Sequence, residues 1–425
     1  MVQERDHLDR NWAVCPETPA TIDALFLTHA HLDHCGLIPR FVKDGFKGKI
    51  YGTPATIELT KLILYDSAHI QEEDVRFKQK RHEREKRKSP HPLEPLYTQS
   101  DVDNVNSLFV PVHYETATTV APGVEVRFHE AGHVLGSAFI EVTLTCDSDA
   151  EPNRRLLFSG DLGRKGRPIL RDPVDFSDPS RPVDALCIES TYGDRESENI
   201  ENVDDQLAKV ISRTIARGGK VIMPVFAVER AQEVLYRLHR LQNAGKIPTG
   251  MPIFLDSPMA VEATRIFRRH PECFDEETLQ RMHAGETLEG LSLLETSDES
   301  RKLNTLGGPA VIMSSAGMCN AGRIKHHLAN HIGNKKNTIC FLGYQAFGTL
   351  GRQIVEGAKS VRIHGEQRQV RAEVVSIRGI SGHADRSELL AWFNAIPKSP
   401  SNVFVLHGDA DFRPGPRGGC EIPAC

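Results

Sequence analysis

The order of apolar and polar positions divides the chain into distinct textures. From Ile22 to Thr28 runs IDALFLT, a near-continuous apolar stretch typical of a strand buried on both faces. A polar knot, HAHLDHCG, follows it, and a helix-like stretch runs from about Leu37 into Phe41. A long helical segment is expected from about Ala55 to Lys88, broken by SPHPLEP at Ser89 to Pro95. Between about Val110 and Cys187 the pattern becomes strand-rich, with VEVRFH, AFIEVTLT, RRLLFSG and VDALCIES separated by turns. Such a meander predicts one face of a sheet.

From Asn199 helix and strand alternate. Val203, Leu207, Val210, Ile211 and Ile215 form one helical stripe ended by Gly218-Gly219. The strand KVIMPVF, a helix from Val228 to about Asn243, and the strand PIFLD come next. PAVIMSS, a helix around Arg323 to His331, and TICFLGY continue the series. This βαβ succession predicts a parallel, doubly wound unit. From about Val374 the chain returns to short buried strands, VVSI and NVFVLHG, each ending in a histidine-bearing loop. The expected organisation is one domain (1–195) interrupted by a second (196–371) and completed by 372–425.

Composition narrows the class. Apolar residues are 39% and charged residues 26% of 425, the balance of a soluble globular chain. No window approaches eighteen unbroken apolar residues, so no membrane-spanning helix is expected. The opening MVQERDHLDRNW has no apolar core of a secretory signal. Nine scattered cysteines without a CxxC pair suggest neither a disulfide frame nor a cysteine zinc site, which fits a reducing, cytoplasmic setting. With a net charge of −5, a polyanion has to be held by a local basic groove or by metal. The Lys/Arg-crowded run Arg76 to Lys88 is either a solvated helical face or a guide rail for phosphates.

The nineteen histidines carry the chemistry. His29-Ala30-His31-Leu32-Asp33-His34 holds four potential ligands directly after a buried strand. In extended chain His29 and His31 point the same way, and a helical first turn then aims Asp33 and His34 at a neighbouring point. A mixed imidazole and carboxylate set suits zinc in a catalytic site. His133 in FHEAGHVLGSA, Asp161 in LLFSGDLGR and His407 in VFVLHGDA each follow an apolar strand, and such loops can converge on one rim of a sheet sandwich. Gly132 and Gly136 let backbone come close there. SGHAD reads equally as a helix start capped by Ser381 or as a functional loop around His383. The small-residue loop SSAGM, with Ser314, Ser315 and Gly317, is either a phosphate cradle or a tight turn. Arg230, Arg323 and Arg352 follow small-residue turns and are candidate phosphate contacts or plain surface arginines. His69 and the pair His326-His327 are expected to serve packing or support, not ligation.

HAHLDH, then GH followed by GS, then SGDLGR, resembles the metallo-β-lactamase superfamily. Further blocks resemble its β-CASP nucleases, and they span about Asp23 to Ala410. They are Glu189 in ESTYGDR, PVFAVERAQE from Pro224, FLDSPMAVEAT from Phe254, SSAGMCNAGRIKHHL from Ser314, GYQAFGTLGR from Gly343, SGHAD from Ser381 and LHGDA from Leu406. The sequence is similar to bacterial members related to the pre-mRNA 3′-end cleavage endonuclease and, more distantly, to ribonuclease J.

The resemblance implies an α/β architecture, an αββα metallo-β-lactamase sandwich interrupted by a doubly wound β-CASP domain. It implies two zinc ions, with manganese suiting the same ligands. One ion takes His29, His31 and His133; the other takes Asp33, His34 and His407; Asp161 bridges them. A hydroxide held between such ions attacks a phosphodiester of single-stranded RNA, by endonucleolytic or 5′→3′ exonucleolytic cutting. His383 protonates the leaving oxygen and Glu189 orients it. A histidine at the position of His407 accompanies RNA-acting members. The alternative is a catalytically silent RNA-binding relative or fragment; a small-ester hydrolase leaves the inserted βαβ domain unexplained.

Both ends depart from that pattern. A glycine-rich hairpin and an Asp-bearing strand are expected before the zinc loop, and Met1 to Ala20 shows no apolar strand pattern. After the LHG block, Asp411 and Phe412 lead into Arg413-Pro414-Gly415-Pro416-Arg417-Gly418-Gly419, a very poor helix former. A start chosen too late and a broken terminus are expected. Uncovered sheet edge then predicts low solubility or a homodimer through that edge, and metal affinity weakened but not abolished.

Overall fold

The computed structural model describes residues 1, 10–85, 93–145, 153–180, 182–196 and 202–408. Two compact units divide the chain. The first is Met1–Gly166, Arg171–Glu196 and Gly382–Cys425; the second is Arg167–Leu170 and Ser197–Ser381.

The first unit holds two sheets. A three-stranded parallel sheet orders Ala24–Phe26, Lys49–Gly52 and Phe109–Pro111. A six-stranded mixed sheet orders Asn402–Leu406, Ala185–Glu189, Arg154–Phe158, Ala138–Leu144, Val124–Glu130 and Thr118–Ala121. Period-two alternation sorts its side chains. On Ala138–Leu144, Ala138, Ile140 and Val142 join Val126 and Phe128 in a core that Phe26 and Tyr51 of the small sheet also reach. Phe139 points the other way, with Leu157, Leu186 and Ile188, and meets Leu389, Trp392 and Ile396, the first two of them on helix Arg386–Asn394. Helix Pro54–Glu85 is buried on one side as far as Ala68, whereas residues 76–81 stand exposed. There Arg76 pairs with Glu72 and Arg81 with Glu85, as on a solvated face. Lys86 to Lys88 and the tail from Asp411 lie outside the described residues.

The second unit is built on an all-parallel sheet ordered Leu291–Leu294, Ile253–Asp256, Ala310–Ser314, Lys220–Pro224, Thr338–Leu342 and Glu373–Ile377. Val221 and Met223 face a core with helices Val203–Ala216 and Arg230–Asn243. Ile222 faces the opposite core with helices Ile324–His331 and Leu350–Val355. Both faces are therefore covered, as the doubly wound expectation requires.

Two boundaries are corrected. Strand Glu373–Ile377, read as part of the completing segment, pairs with Thr338–Leu342, so the unit changes at Ser381/Gly382 and not at 371/372. Arg167–Leu170 belongs to the second unit, where Leu170 bridges Phe274 and Arg167 lies 3.1 Å from Glu229 and 3.2 Å from Glu233. A buried strand's pattern states that it has neighbours without naming them. No helix among the described residues is long and apolar enough to cross a membrane.

Candidate metal centre

Strand register assembles the centre within the first unit. The parallel ladder of Asn402–Leu406 on Ala185–Glu189 sets Leu406 opposite Glu189, so His407 emerges beside Glu189. Phe158 lies opposite Cys187 in the next ladder, which brings the loop bearing Asp161 to the same rim. The extended chain through His29 and His31 turns at His31 into the short helix Leu32–Cys35, which carries Asp33 and His34.

The side chains form two sets around one carboxylate. His29, His31, His133 and Asp161 converge, as do Asp33, His34 and His407. Asp161 Oδ2 lies 3.4 Å from His29 Nε2 and 3.5 Å from His133 Nε2. Its Oδ1 lies 3.5 Å from His34 Nε2 and 3.6 Å from His407 Nδ1. His133 Nε2 is 3.1 Å from His31 Nδ1, and His407 Nε2 is 3.1 Å from Asp33 Oδ2. Ligands at zinc bond lengths of about 2.0–2.1 Å in tetrahedral array stand roughly 3.3 Å apart, the spacing found here. His29 Nε2, His34 Nε2 and Asp161 Oδ1 are buried without a hydrogen-bond partner, a costly state that a cation relieves. The donor set and its orphaned atoms fit two divalent ions.

Electrostatics prepares the first set. Burial pushes His29 and His133 well below the usual imidazole range and His31 down to about 4, so their lone pairs are available. Burial raises Asp161, but the surrounding imidazoles, His29 first, outweigh it and hold the carboxyl well below its usual range. His407 is pushed up to about 9, chiefly by its hydrogen bond to Asp33.

Residues that pattern reading missed hold the rings in place, and one fixes a tautomer. His133 Nδ1 donates to Gly382 O at 3.0 Å, which leaves Nε2 to ligate. Thr28 Oγ1 lies 3.1 Å from His29 Nδ1 and Thr191 Oγ1 2.9 Å from His407 Nδ1. Nothing in their local sequence signals this; their contacts come from strand ends far apart in the chain. Gly136 (φ +80°) sits where a Cβ would lie 2.5 Å from Thr56 N, while Thr53 and Thr56 both donate to Gly136 O.

His383 stands beside the centre, 3.9 Å from Asp161 Oδ2, with Nδ1 3.3 Å from Glu189 Oε2. Glu189 is itself anchored, accepting from Leu162 N at 2.6 Å and Thr191 N at 3.3 Å. Burial lowers the His383 pKa, but the hydrogen bond and charge of Glu189 overcome this and raise it. Tyr192 meets the His383 ring edge-on with centroids 5.8 Å apart. Asp385 caps helix Arg386–Asn394 in a capping box with Glu388, so in SGHAD the aspartate, not Ser381, does the capping.

The expected phosphate contacts of the second unit make intramolecular contacts. Ser314 is fully buried and its hydroxyl donates to Asp256 O at 2.8 Å. Ser315 Oγ is 2.6 Å from Ser257 Oγ, and Gly317 lies buried under the Phe226 ring. Arg230 is half-buried against Glu233, and Arg323 reaches Asp256 Oδ1 (2.7 Å) and the Glu295 carbonyl (2.6 Å). Both cations thus have a carboxylate partner within the second unit. Arg352 stays at the surface, paired with Glu356 at 2.7 Å. His69 is half exposed near Glu73, not packed, while His327 is buried 2.6 Å from Asp256.

Comparison with known proteins agrees with this centre. Residues 17–135 match the metallo-beta-lactamase superfamily, 231–354 the Beta-Casp domain, and 362–412 the Zn-dependent metallo-hydrolase RNA specificity domain. The chain is 34% identical over 411 residues to Ribonuclease TTHA0252 of Thermus thermophilus, covering 95% of this chain and 85% of that protein. It is 33% identical over 399 residues to transcription termination factor FttA of Methanocaldococcus jannaschii, covering 91% of this chain and 58% of that relative. With the two ligand sets, the interrupted sandwich and a relative matched over most of both lengths, the chain belongs to the β-CASP family of metallo-β-lactamase-fold hydrolases.

Proposed function

We propose that this chain is a zinc-dependent ribonuclease that hydrolyses phosphodiester bonds of single-stranded RNA at a dinuclear centre. One observation carries the reading: the two oxygens of Asp161 face two separate ligand sets. His29, His31 and His133 would hold one ion, and Asp33, His34 and His407 the other, with Asp161 shared. Two zinc ions, when bound, lower the pKa of water and neutralise charge on phosphate oxygens; manganese suits the same donors.

The protein's own groups do the rest. His383, held through Nδ1 by Glu189 beside Asp161, is placed to give a proton to the departing oxygen. The carboxylate of Glu189 favours the protonated imidazole that this step needs, and the backbone N–H groups of Leu162 and Thr191 keep the carboxylate from turning away. The RNA specificity domain match spans both His383 and His407, and a ribonuclease is among the relatives, which supports RNA as the substrate.

Labelled single-stranded RNA, single-stranded DNA of the same sequence and a chromogenic ester, each incubated with the zinc-loaded chain, test the reading. RNA cleavage that chelation abolishes is expected. Ester turnover without RNA cleavage would assign a different hydrolase.

A further inference from the structure

Aromatic rings from the neighbouring loops flank the loop expected to cradle phosphate. Among the described residues of the second unit, the exposed large apolar side chains are Phe226 (45%), Met282 (40%), Tyr344 (57%) and Phe347 (90%). Three of the four are aromatic, and those three belong to one place. Phe226 follows strand Lys220–Pro224, and its ring lies on Gly317, where an added Cβ would stand 3.0 Å from the ring. Tyr344 and Phe347 follow strand Thr338–Leu342, and Gln345 between them donates to Gly317 O at 3.2 Å. Gly317 itself follows strand Ala310–Ser314. The three strands are neighbours in the parallel sheet, so the rings crown its carboxyl rim, where doubly wound sheets take up ligands.

The turn that carries them is held firmly. Ala346 N donates to Met318 Sδ at 3.3 Å, Gly351 N to Met318 O at 3.2 Å and Leu350 N to Asn320 Oδ1 at 3.0 Å. Thr349 caps the following helix. Rings on a fixed backbone lose little entropy when a flat partner stacks on them. Phe347 stands 90% in water as one of a group of three exposed rings, and grouped apolar exposure marks a contact surface.

We infer that Phe226, Tyr344 and Phe347 form a stacking platform for the unpaired bases of an RNA strand. The inference rests on the ribonuclease reading and adds how that substrate is gripped. Stacking on such rings accepts any base, because every base has a π face, and it requires bases that are not already paired. The platform thus selects single-stranded over duplex RNA without reading sequence.

The test measures binding by fluorescence anisotropy in the presence of chelator, so that the probe stays intact. The probes are a single-stranded RNA and a fully abasic strand of the same length and charge. Wild type is expected to prefer the base-bearing strand. Tyr344→Ala with Phe347→Ala is expected to bind it about tenfold or more weakly and to lose the preference, while Phe347→Trp keeps both. Equal affinity of wild type for the two strands, or a preference unchanged in the double variant, overturns the platform even where the loaded chain cleaves RNA. If no form binds or cleaves RNA, the ribonuclease reading falls and the platform with it. Unchanged thermal melting of the double variant separates lost stacking from lost fold.

Discussion

The Nδ1 of His383 lies 3.3 Å from Glu189 Oε2, although 194 residues separate the two in sequence. Glu189 ends a strand of the six-stranded sheet, and His383 lies in the loop before helix Arg386–Asn394. The pair orients an imidazole beside the candidate metal centre, 3.9 Å from Asp161 Oδ2. If His383 delivers the proton, His383→Ala lowers RNA cleavage by about 10²–10⁴-fold with metal content intact. Asp161→Ala is expected to lose both. Cleavage rates beside metal per chain, by plasma mass spectrometry, separate the two roles; an active His383→Ala chain removes the assignment.

Metal content follows from the orphaned atoms His29 Nε2, His34 Nε2 and Asp161 Oδ1. About two zinc ions per chain are expected on protein purified without a His tag. Stripping them is expected to lower the melting temperature, since a ligand held at 100 times its Kd contributes about 2.7 kcal/mol. Melting that zinc does not change would show that these atoms bind no ion.

Glu130 predicts a stability that depends on pH. It is buried beside the ligand loop, accepts from Gly132 N at 2.8 Å, and is pushed by that burial from 4.5 up to about 8. A raised carboxyl holds its proton longer folded than unfolded. The contribution of Glu130 is therefore complete below about pH 4.5 and falls as pH rises toward 8, by up to ~1.4 kcal/mol per pH unit. Glu130→Gln is expected to flatten that slope in urea titrations at several pH values. An equal slope in the variant would place its source elsewhere.

Gly136 tests the fit of the loop that presents His133. Its φ of +80° is strained for any L side chain, and a Cβ would press on Thr56 N. Gly136→Ala is expected to cost about 2 kcal/mol or more and to lower zinc occupancy along with stability. A variant that melts and loads zinc like the parent would show that the loop has room to move.

Much of this was legible before any coordinates. HAHLDH after an apolar strand, with His133, Asp161 and His407 each following another, named the candidate ligands that the fold brings together, because metal ligation demands particular residue types that strand ends can present. Alternating helix and strand patterns named the inserted parallel unit. The partner of Glu373–Ile377, the membership of Arg167–Leu170 and the supporting contacts of Thr28, Thr191 and Gly382 were not legible, since pairing between distant segments leaves no local mark.

The sequence by itself determined which chemistry the chain can perform: the imidazoles and carboxylates, and the strands that carry them. Tertiary structure decided which polar groups are free to act. It engaged Arg230 with Glu233 and Arg323 with Asp256, and buried Ser314 against the Asp256 carbonyl, because a hydroxyl inside a domain must find a fixed partner. It left Asp161 facing two ligand sets and Phe347 facing water, because strand register and turn geometry, not residue type, set where a side chain ends.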